Sequence, residues 1–258
     1  MVEMDDPLRY KTLHDLSRIF SLFETPSMQE LSMVEIARSL KMLPSKASRM
    51  LRGLHGERLL DRNPDTGKYR VSSRFLRLGL LYALNHPLRA IILPHLQVMA
   101  TDLGLSAGWA IFENGNVVVI DRLQVGEGPL IHLLGTHVPL HASSYGKLFL
   151  AYAAEEERER LIDALVFTRL TPATVSTPDM LRKHLRRVRE KGYALDVGES
   201  RSNITGLAAP VFNREGNVVA SVTIAGETSD FTEEKIEEVA DYLMKKTQFI
   251  SRQLGHRG

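Results

Sequence analysis

The chain has 258 residues, no cysteine, and 33 basic against 31 acidic side chains, for a net charge of +2. Disulfides and thiolate metal sites are excluded, and any nucleic-acid function must rest on local rather than overall basicity. Apolar residues make up 43% and charged residues 25%, ordinary values that suit one large or two modest domains. The N-terminus is acidic (Glu3, Asp5, Asp6) and has no apolar signal core, and the greasy run around Leu78 to Leu93 is interrupted by Asn85, His86, Pro87 and Arg89. No membrane span is expected, and the absence of cysteine is compatible with a cytoplasmic location.

Leu13, Leu16, Ile19, Phe20 and Phe23 form a helical apolar stripe from about Tyr10 to Glu24, ended by Thr25-Pro26-Ser27. Ser32 caps the next helix with Glu35 as its capping-box partner. Met33, Ile36, Ala37 and Leu40 recur at i, i+3, i+4 and i+7 on one helical face. After a break at Lys41-Met42-Leu43, Pro44 suits the first turn of another helix. Its apolar face is Ala47, Met50, Leu51 and Leu54, and its polar face carries Ser45, Lys46, Ser48, Arg49 and Arg52. Leu59 to Arg62 and Lys68 to Val71 then flank Asn63-Pro64-Asp65-Thr66-Gly67, two strand-like pieces around a turn. Helix, turn, basic helix and basic hairpin follow the order of a winged helix-turn-helix, which lays its second helix in the major groove of double-stranded DNA. Between Ser45 and Arg77 the bases are Lys46, Arg49, Arg52, Arg58, Arg62, Lys68, Arg70, Arg74 and Arg77, against Glu57, Asp61 and Asp65. The DNA-contact candidates are Ser45, Lys46, Ser48, Arg49 and Arg52 on the helix, and Arg62, Lys68 and Arg70 on the wing. This unit is expected to cover residues 1–72.

Ser73 is the expected cap of an amphipathic helix through Phe75, Leu76, Leu78, Leu81 and Leu84, a linker over 73–87. It reads equally as a dimer contact or as a plain core helix. Residues 88–258 differ in character. A helix from His95 to Asp102 ends at Gly104, with Pro87 and Pro94 as punctuation. Ala107 to Phe112 and Val117 to Leu123 are strands around Asn114-Gly115, a strong hairpin signal. Leu207 to Phe212 and Val218 to Ile224 surround a similar turn. Helices are expected over Ser144 to Tyr152, Glu155 to Leu165, Pro178 to Lys191, and after Thr232, where Glu at the start and Lys and Arg at the end suit the helix dipole. Two hairpins of one antiparallel sheet with helices around it make an α+β domain.

His132, His137 and His141 lie near Asp121 and Glu127 in sequence, but the spacing matches no helical zinc motif, so no metal is expected. Neither Ser143 nor Ser144 sits in a nucleophile elbow that would make a triad with His141 and Asp121. Trp109 and Phe112 read as core or pocket wall. The run Arg182, Lys183, Arg186, Arg187, Arg189 reads as a solvated helix face.

Five stretches, in this order and spacing, carry a resemblance over nearly the whole chain: RNPDTGKYR (62–70), LPHLQVMA (93–100), PLHASSYGKLFLA (139–151), EKGYALD (190–196) and LAAPVF (207–212). The chain resembles the IclR (isocitrate lyase regulator) family of bacterial transcription regulators. The resemblance implies a winged helix-turn-helix, a linker helix and a GAF-like C-terminal domain that senses a small molecule; no cofactor is expected. It also implies a homodimer or homotetramer on a palindromic operator. By motif position the effector pocket is expected at Ser144, Tyr145, Gly146, Asp196, Gly206, Thr223 and Ala225. Backbone amides near Ser144 suit a carboxylate. Gly206 stands where many members have Cys, Ala225 where Ser is frequent, and Tyr145 is bulkier than the usual residue before the Gly-Lys pair. Pro44 is one position later than usual. The lost volume at 206 and 225 points to a somewhat larger, more apolar acid, with Tyr145 working against it. The expected function is ligand-responsive transcriptional regulation by linkage between effector and DNA. The rival is an enzyme acting on a small acid, with the N-terminal unit serving dimerisation.

Overall fold

The computed structural model describes residues 10–24, 30–126 and 134–257, and the chain divides into two units, Met1–Tyr82 and Ala83–Gly258. In the first, α1 (Lys11–Phe23), α2 (Met33–Ser39) and α3 (Pro44–Gly56) precede a hairpin of β1 (Leu60–Arg62) and β2 (Tyr69–Val71). The apolar stripes converge: Ile19, Ile36, Ala47, Leu51 and Leu60 are buried in one cluster. Local chemistry sets the element ends. Ser32 and Glu35 form a reciprocal capping box, and Pro44 occupies the first turn of α3, where no amide is needed. Asn63 Oδ1 accepts from the amides of Asp65 and Thr66 at 2.9 and 3.2 Å, and Gly67 takes φ +68°, which turns the hairpin. The expected end of the first helix, Thr25-Pro26-Ser27, lies outside the described residues.

The helix α4 (Ser73–Leu84) begins at Ser73, which is therefore its first helical residue and not its cap; Ser72 precedes it and donates its hydroxyl to Arg58 O at 2.7 Å. No residue of α4 is buried. Leu76, Leu78, Leu80, Leu81, Tyr82 and Leu84 are exposed, so it is not a core helix of this chain.

The second unit holds α5 (Arg89–Leu103), β3 (Ser106–Glu113), β4 (Asn116–Leu123), β5 (His137–Val138), α6 (Ser144–Tyr152), α7 (Glu155–Ala164), α8 (Pro178–Lys191), β6 (Ala194–Val197), β7 (Ile204–Phe212), β8 (Val218–Glu227) and α9 (Glu233–Gln253). Its six strands form one antiparallel sheet in the order β5-β4-β3-β8-β7-β6. Asn114 and Gly115, at φ +52° and +79°, make the two-residue turn between β3 and β4. The helix α5 is longer than expected from His95 to Asp102, and Pro94 lies inside it. Ile92, Leu96, Met99 and Ala100 bury on both sides of the proline, which offsets the missing backbone bond.

Strand alternation sorts the core into two faces. Ala107, Trp109, Leu207, Ala209, Ala220, Val222 and Ile224 join α5 and α9 residues such as Leu96 and Leu243 on one face. Ala110, Val117, Val119 and Ala208 join Leu148, Phe149, Leu181 and Leu185 of α6 and α8 on the other. One irregularity matters for the site. Trp109 pairs with Asp121 but Ala110 pairs with Val119, so Ile120 is an extra residue in β4. This bulge flips the alternation and turns Arg122 to the α6 face beside Val119.

Candidate functional site

Every residue of α6 from Ser144 to Ala151 is buried, as expected of a helix that is apolar nearly all round. Ser143 caps it, accepting from Gly146 N at 3.0 Å and donating to Pro139 O at 2.6 Å. Gly146 is required by close approach: a Cβ there would lie 2.4 Å from Leu140 Cα and 2.6 Å from Leu140 O. That contact seats the first turn of α6 against the segment that leaves β5.

The turn then places Ser144 and Tyr145 over different strands. A Cβ on Gly206 would meet Ser144 Oγ at 3.2 Å, Ala225 Cβ at 3.7 Å and Thr223 Cγ2 at 3.9 Å. Ser144, Gly206, Thr223 and Ala225 are thus brought together. The Tyr145 hydroxyl reaches the other way and would lie 2.7 Å from a Cβ on Gly108. A cavity of about 30 Å³ remains, lined by Ser106, Ala107, Gly108, Val119, Arg122, Tyr145, Thr223 and Ala225, room for about two waters. Burial pushes the Tyr145 phenol up to about 12, against the opposing pull of Thr223 and Arg122, so it stays a neutral donor. Thr223 Oγ1 is buried beside that phenol but makes no hydrogen bond of regular geometry. Burial lowers the Arg122 pKa, and the guanidinium donates to Gln124 Oε1 at 2.6 Å.

Two expected pocket residues are otherwise employed. Asp196 pairs with Gly206 across β6 and β7, but its carboxylate accepts from Glu199 N at 2.8 Å and from the Ser200 hydroxyl at 2.6 Å. It closes its own turn and does not line the cavity. Gly146 faces Leu140, and its amide is used by Ser143. The volume opened at Gly206 and Ala225 is met by Ser144, while Tyr145 covers the β3 side. Conversely, Arg122, Ser106, Gly108 and Val119 line the cavity and were not among the expected residues. The one signal for them was a glycine inside a strand pattern at 108, which marks a close approach.

Residues 81–252 match the model of the bacterial transcriptional regulator IclR C-terminal domain. The chain belongs to the IclR family of bacterial transcriptional regulators. Among its family relatives, the HTH-type transcriptional regulator XynR of Escherichia coli is 27% identical over 243 residues, covering 93% of this chain and 95% of the relative. The glycerol operon regulatory protein of Streptomyces coelicolor is 30% identical over 200 residues, covering 77% and 78%. A solved IclR homologue from Microbacterium hydrocarbonoxydans, complexed with 4-hydroxybenzoate, superposes with a TM-score of 0.75 at 26% identity, covering 94% of this chain and 99% of that one. Membership makes this chain a transcriptional regulator with a ligand-binding C-terminal domain. No helix among the described residues is long and apolar enough to cross a membrane.

In the first unit of this IclR-family chain, Ser45, Arg49 and Arg52 are exposed and Ser48 is half-buried. Arg49 and Arg52 form no ion pair with the described residues. Lys46, expected on the DNA-reading face, is instead bound to Asp15 of α1, whose carboxyl is almost fully buried. On the hairpin, Arg62 donates to Gly67 O at 3.2 Å and lies 5.8 Å from the Tyr69 ring centre. Arg70 lies 3.7 Å from Glu30. Lys46 thus ties α3 to α1. Lys46→Ala is expected to lower the stability of this unit by about 1–3 kcal/mol, because it removes the hydrogen bond to a buried carboxylate and leaves it only Arg18, at 3.9 Å. The Lys46 hydrogen bond holds the Asp15 carboxyl below its usual 3.8. That contribution is present above pH 3.8 and is lost as pH falls through the lower folded value, so the deficit should shrink in acid. Urea unfolding at pH 7 and pH 3 checks both; equal stability at pH 7 removes the anchor.

Proposed function

We propose that this chain is a DNA-binding regulator whose first unit is a winged helix-turn-helix and whose second unit, GAF-like, takes a small carboxylate in the Tyr145 cavity. In this reading residues 1–72 bind a palindromic operator, α4 is the linker over 73–87, and residues 88–258 hold the effector. The exposed leucines of α4 suit pairing with a second copy, giving two half-sites on a two-fold axis. No turnover is expected: the protein binds its ligand and releases it unchanged, in the cytoplasm where the operator is.

The observation that carries the reading is the convergence of the Thr223 hydroxyl, the Arg122 guanidinium and the Tyr145 phenol on one buried cavity. The Thr223 hydroxyl is buried with only the Tyr145 phenol beside it and no hydrogen bond of regular geometry, so a polar ligand atom adds a better partner. Arg122 supplies a forked, permanently charged partner for a carboxylate. Tyr145 donates to it, and Thr223 fixes a second polar atom. Ser144, Gly206 and Ala225 form the adjoining wall. The proposed ligand is a short acid that enters with the Tyr145 ring moved aside, since the cavity as it stands has room for about two waters. The family neighbour that holds 4-hydroxybenzoate supports an acid as the class.

Thermal unfolding across a panel of acids tests this. A short hydroxy or keto acid at a hundredfold excess over its Kd should stabilise wild type by about 2.7 kcal/mol. Arg122→Gln and Thr223→Val should each lose most of that gain. Tyr145→Ala should shift preference toward aromatic acids such as 4-hydroxybenzoate. The same stabilisation of Arg122→Gln, Thr223→Val and wild type would place the ligand elsewhere.

A further inference from the structure

A second recess lies against β6. β6 is the edge of the sheet, and between it and α8 the structure leaves a cleft of about 270 Å³. This approaches the smallest size typical of metabolite sites, ~300 Å³. It shares no lining residue with the Tyr145 cavity.

The charge of the cleft is unbalanced. Arg187 and Lys191 stand one turn apart on α8, hence on one face, and both are exposed at its rim. Neither forms an ion pair with the described residues. At the base, Lys147 is 1% exposed and donates to Leu195 O and to Glu199 Oε1. That buried pair cancels, with the Asp196 carboxylate within electrostatic reach of both its members, and the two cations at the rim are left without a facing acid among the described residues. His184 is half-buried beside these cations: burial first, then Lys147, Arg187 and Lys183, push its imidazole down to about 4. It is therefore neutral at pH 7, 4.0 Å from Glu199 Oε1.

A bare anion would not complete this site. Glu199 is 6% exposed, and its second oxygen, Oε2, is buried with no hydrogen-bond partner. A carboxylate oxygen in that position calls for a donor. Val188 and Leu195 add apolar surface between the basic rim and the acidic base. The cleft thus asks for a negative group at one end, a hydroxyl at the other, and a short carbon chain between.

We propose that the α8–β6 cleft is a second ligand site that takes a small polyhydroxy acid, with its carboxylate between Arg187 and Lys191 and a hydroxyl donated to Glu199 Oε2. The inference stands apart from the reading of the Tyr145 cavity. Both sites draw on α6, which carries Tyr145 in its first turn and Lys147 two residues later.

Calorimetric titration of the full chain at pH 7 tests the site, with gluconate as probe and hexanoate as a control of equal carbon number and charge but without hydroxyls. Gluconate should bind, and hexanoate should bind at least about tenfold more weakly, the value of a hydrogen bond to a charged group. Arg187→Gln and Lys191→Gln, both exposed and so harmless to folding, should each weaken gluconate by about fivefold, and the double variant by more. Thr223→Val should leave gluconate affinity unchanged. Three results overturn the proposal: no heat with gluconate, equal affinity for the two acids, or full affinity retained in the double variant. A loss confined to Thr223→Val also overturns it, by assigning the heat to the Tyr145 cavity.

Discussion

Lys147→Met should cost the second unit about 3–5 kcal/mol, the effect of removing one partner from a buried ion pair. Lys147 is buried in the middle of an otherwise apolar helix, and its ammonium satisfies both Leu195 O and Glu199. Without it the Glu199 carboxylate is left in the interior with neither oxygen served by a cation. The double variant Lys147→Met with Glu199→Gln should recover much of the loss, since exchanging a whole buried pair for neutral groups is often close to neutral. The pH dependence follows from Glu199. Burial, only partly opposed by Lys147, raises its carboxyl from 4.5 to about 6 in the fold. A raised folded pKa contributes stability that is fully present below 4.5 and is lost as pH rises through about 6. Deleting Lys147 removes the group that holds the value down, so the loss extends to higher pH and the deficit of the variant should shrink on acidification toward pH 4.5. The chain has a single tryptophan, Trp109, buried in the sheet core of this unit, so urea unfolding followed by its fluorescence reads the right domain. A midpoint unchanged at pH 7 would mean that the pair contributes nothing.

Arg49→Ala should reduce operator preference by roughly 1–3 kcal/mol if α3 enters the major groove and Arg49 is bidentate to a guanine. Arg49 is exposed on the proposed reading face, and α3 is held at its start by the Lys46 link to buried Asp15. A tethered helix presents its arginine in a defined orientation, which base readout requires and phosphate contact does not. Lys68 on the hairpin should behave differently. Lys68→Ala should weaken all sequences alike and lower the salt slope by about one unit. Competition between operator and random duplex at several salt concentrations separates the two. If Arg49→Ala keeps the wild-type preference ratio, Arg49 does not read bases, and Arg52, one turn along, is the next residue to test.

The N-terminal elements were legible because their signals are local. Ser32 with Glu35, Pro44, and Asn63 with Gly67 act within four residues, and short-range chemistry of that kind survives folding unchanged. The Asn114-Gly115 turn and the two-hairpin sheet were legible for the same reason. The extent of α5 was not. Pro94 is a local stop signal, and it was overruled by the burial of Ile92, Leu96 and Met99, a long-range gain that no window of sequence displays. Lys46 was read as a DNA contact because it lies on a polar helical face. Its partner Asp15 is 31 residues away.

By itself, then, the sequence determined most of the elements, their order, the family and the helix that seats the candidate site, since each of these rests on periodicity, caps, turns or contiguous motifs, whereas the short edge strands β5 and β6 and the extent of α5 do not. Only the tertiary structure decided which side chains meet. Arg122 faces the cavity because one extra residue in β4 reverses the alternation, and regular alternation from Val119 would have turned it to the opposite face. Asp196 fell out of the cavity because Glu199 and Ser200 fold back onto its carboxylate. Lys147 and Glu199, 52 residues apart, became a pair only when α6 packed beside the edge strand. The physical reason is common to all three. Strand register and desolvation are set by contacts between distant segments, and a buried charge chooses its partner by geometry rather than by distance along the chain.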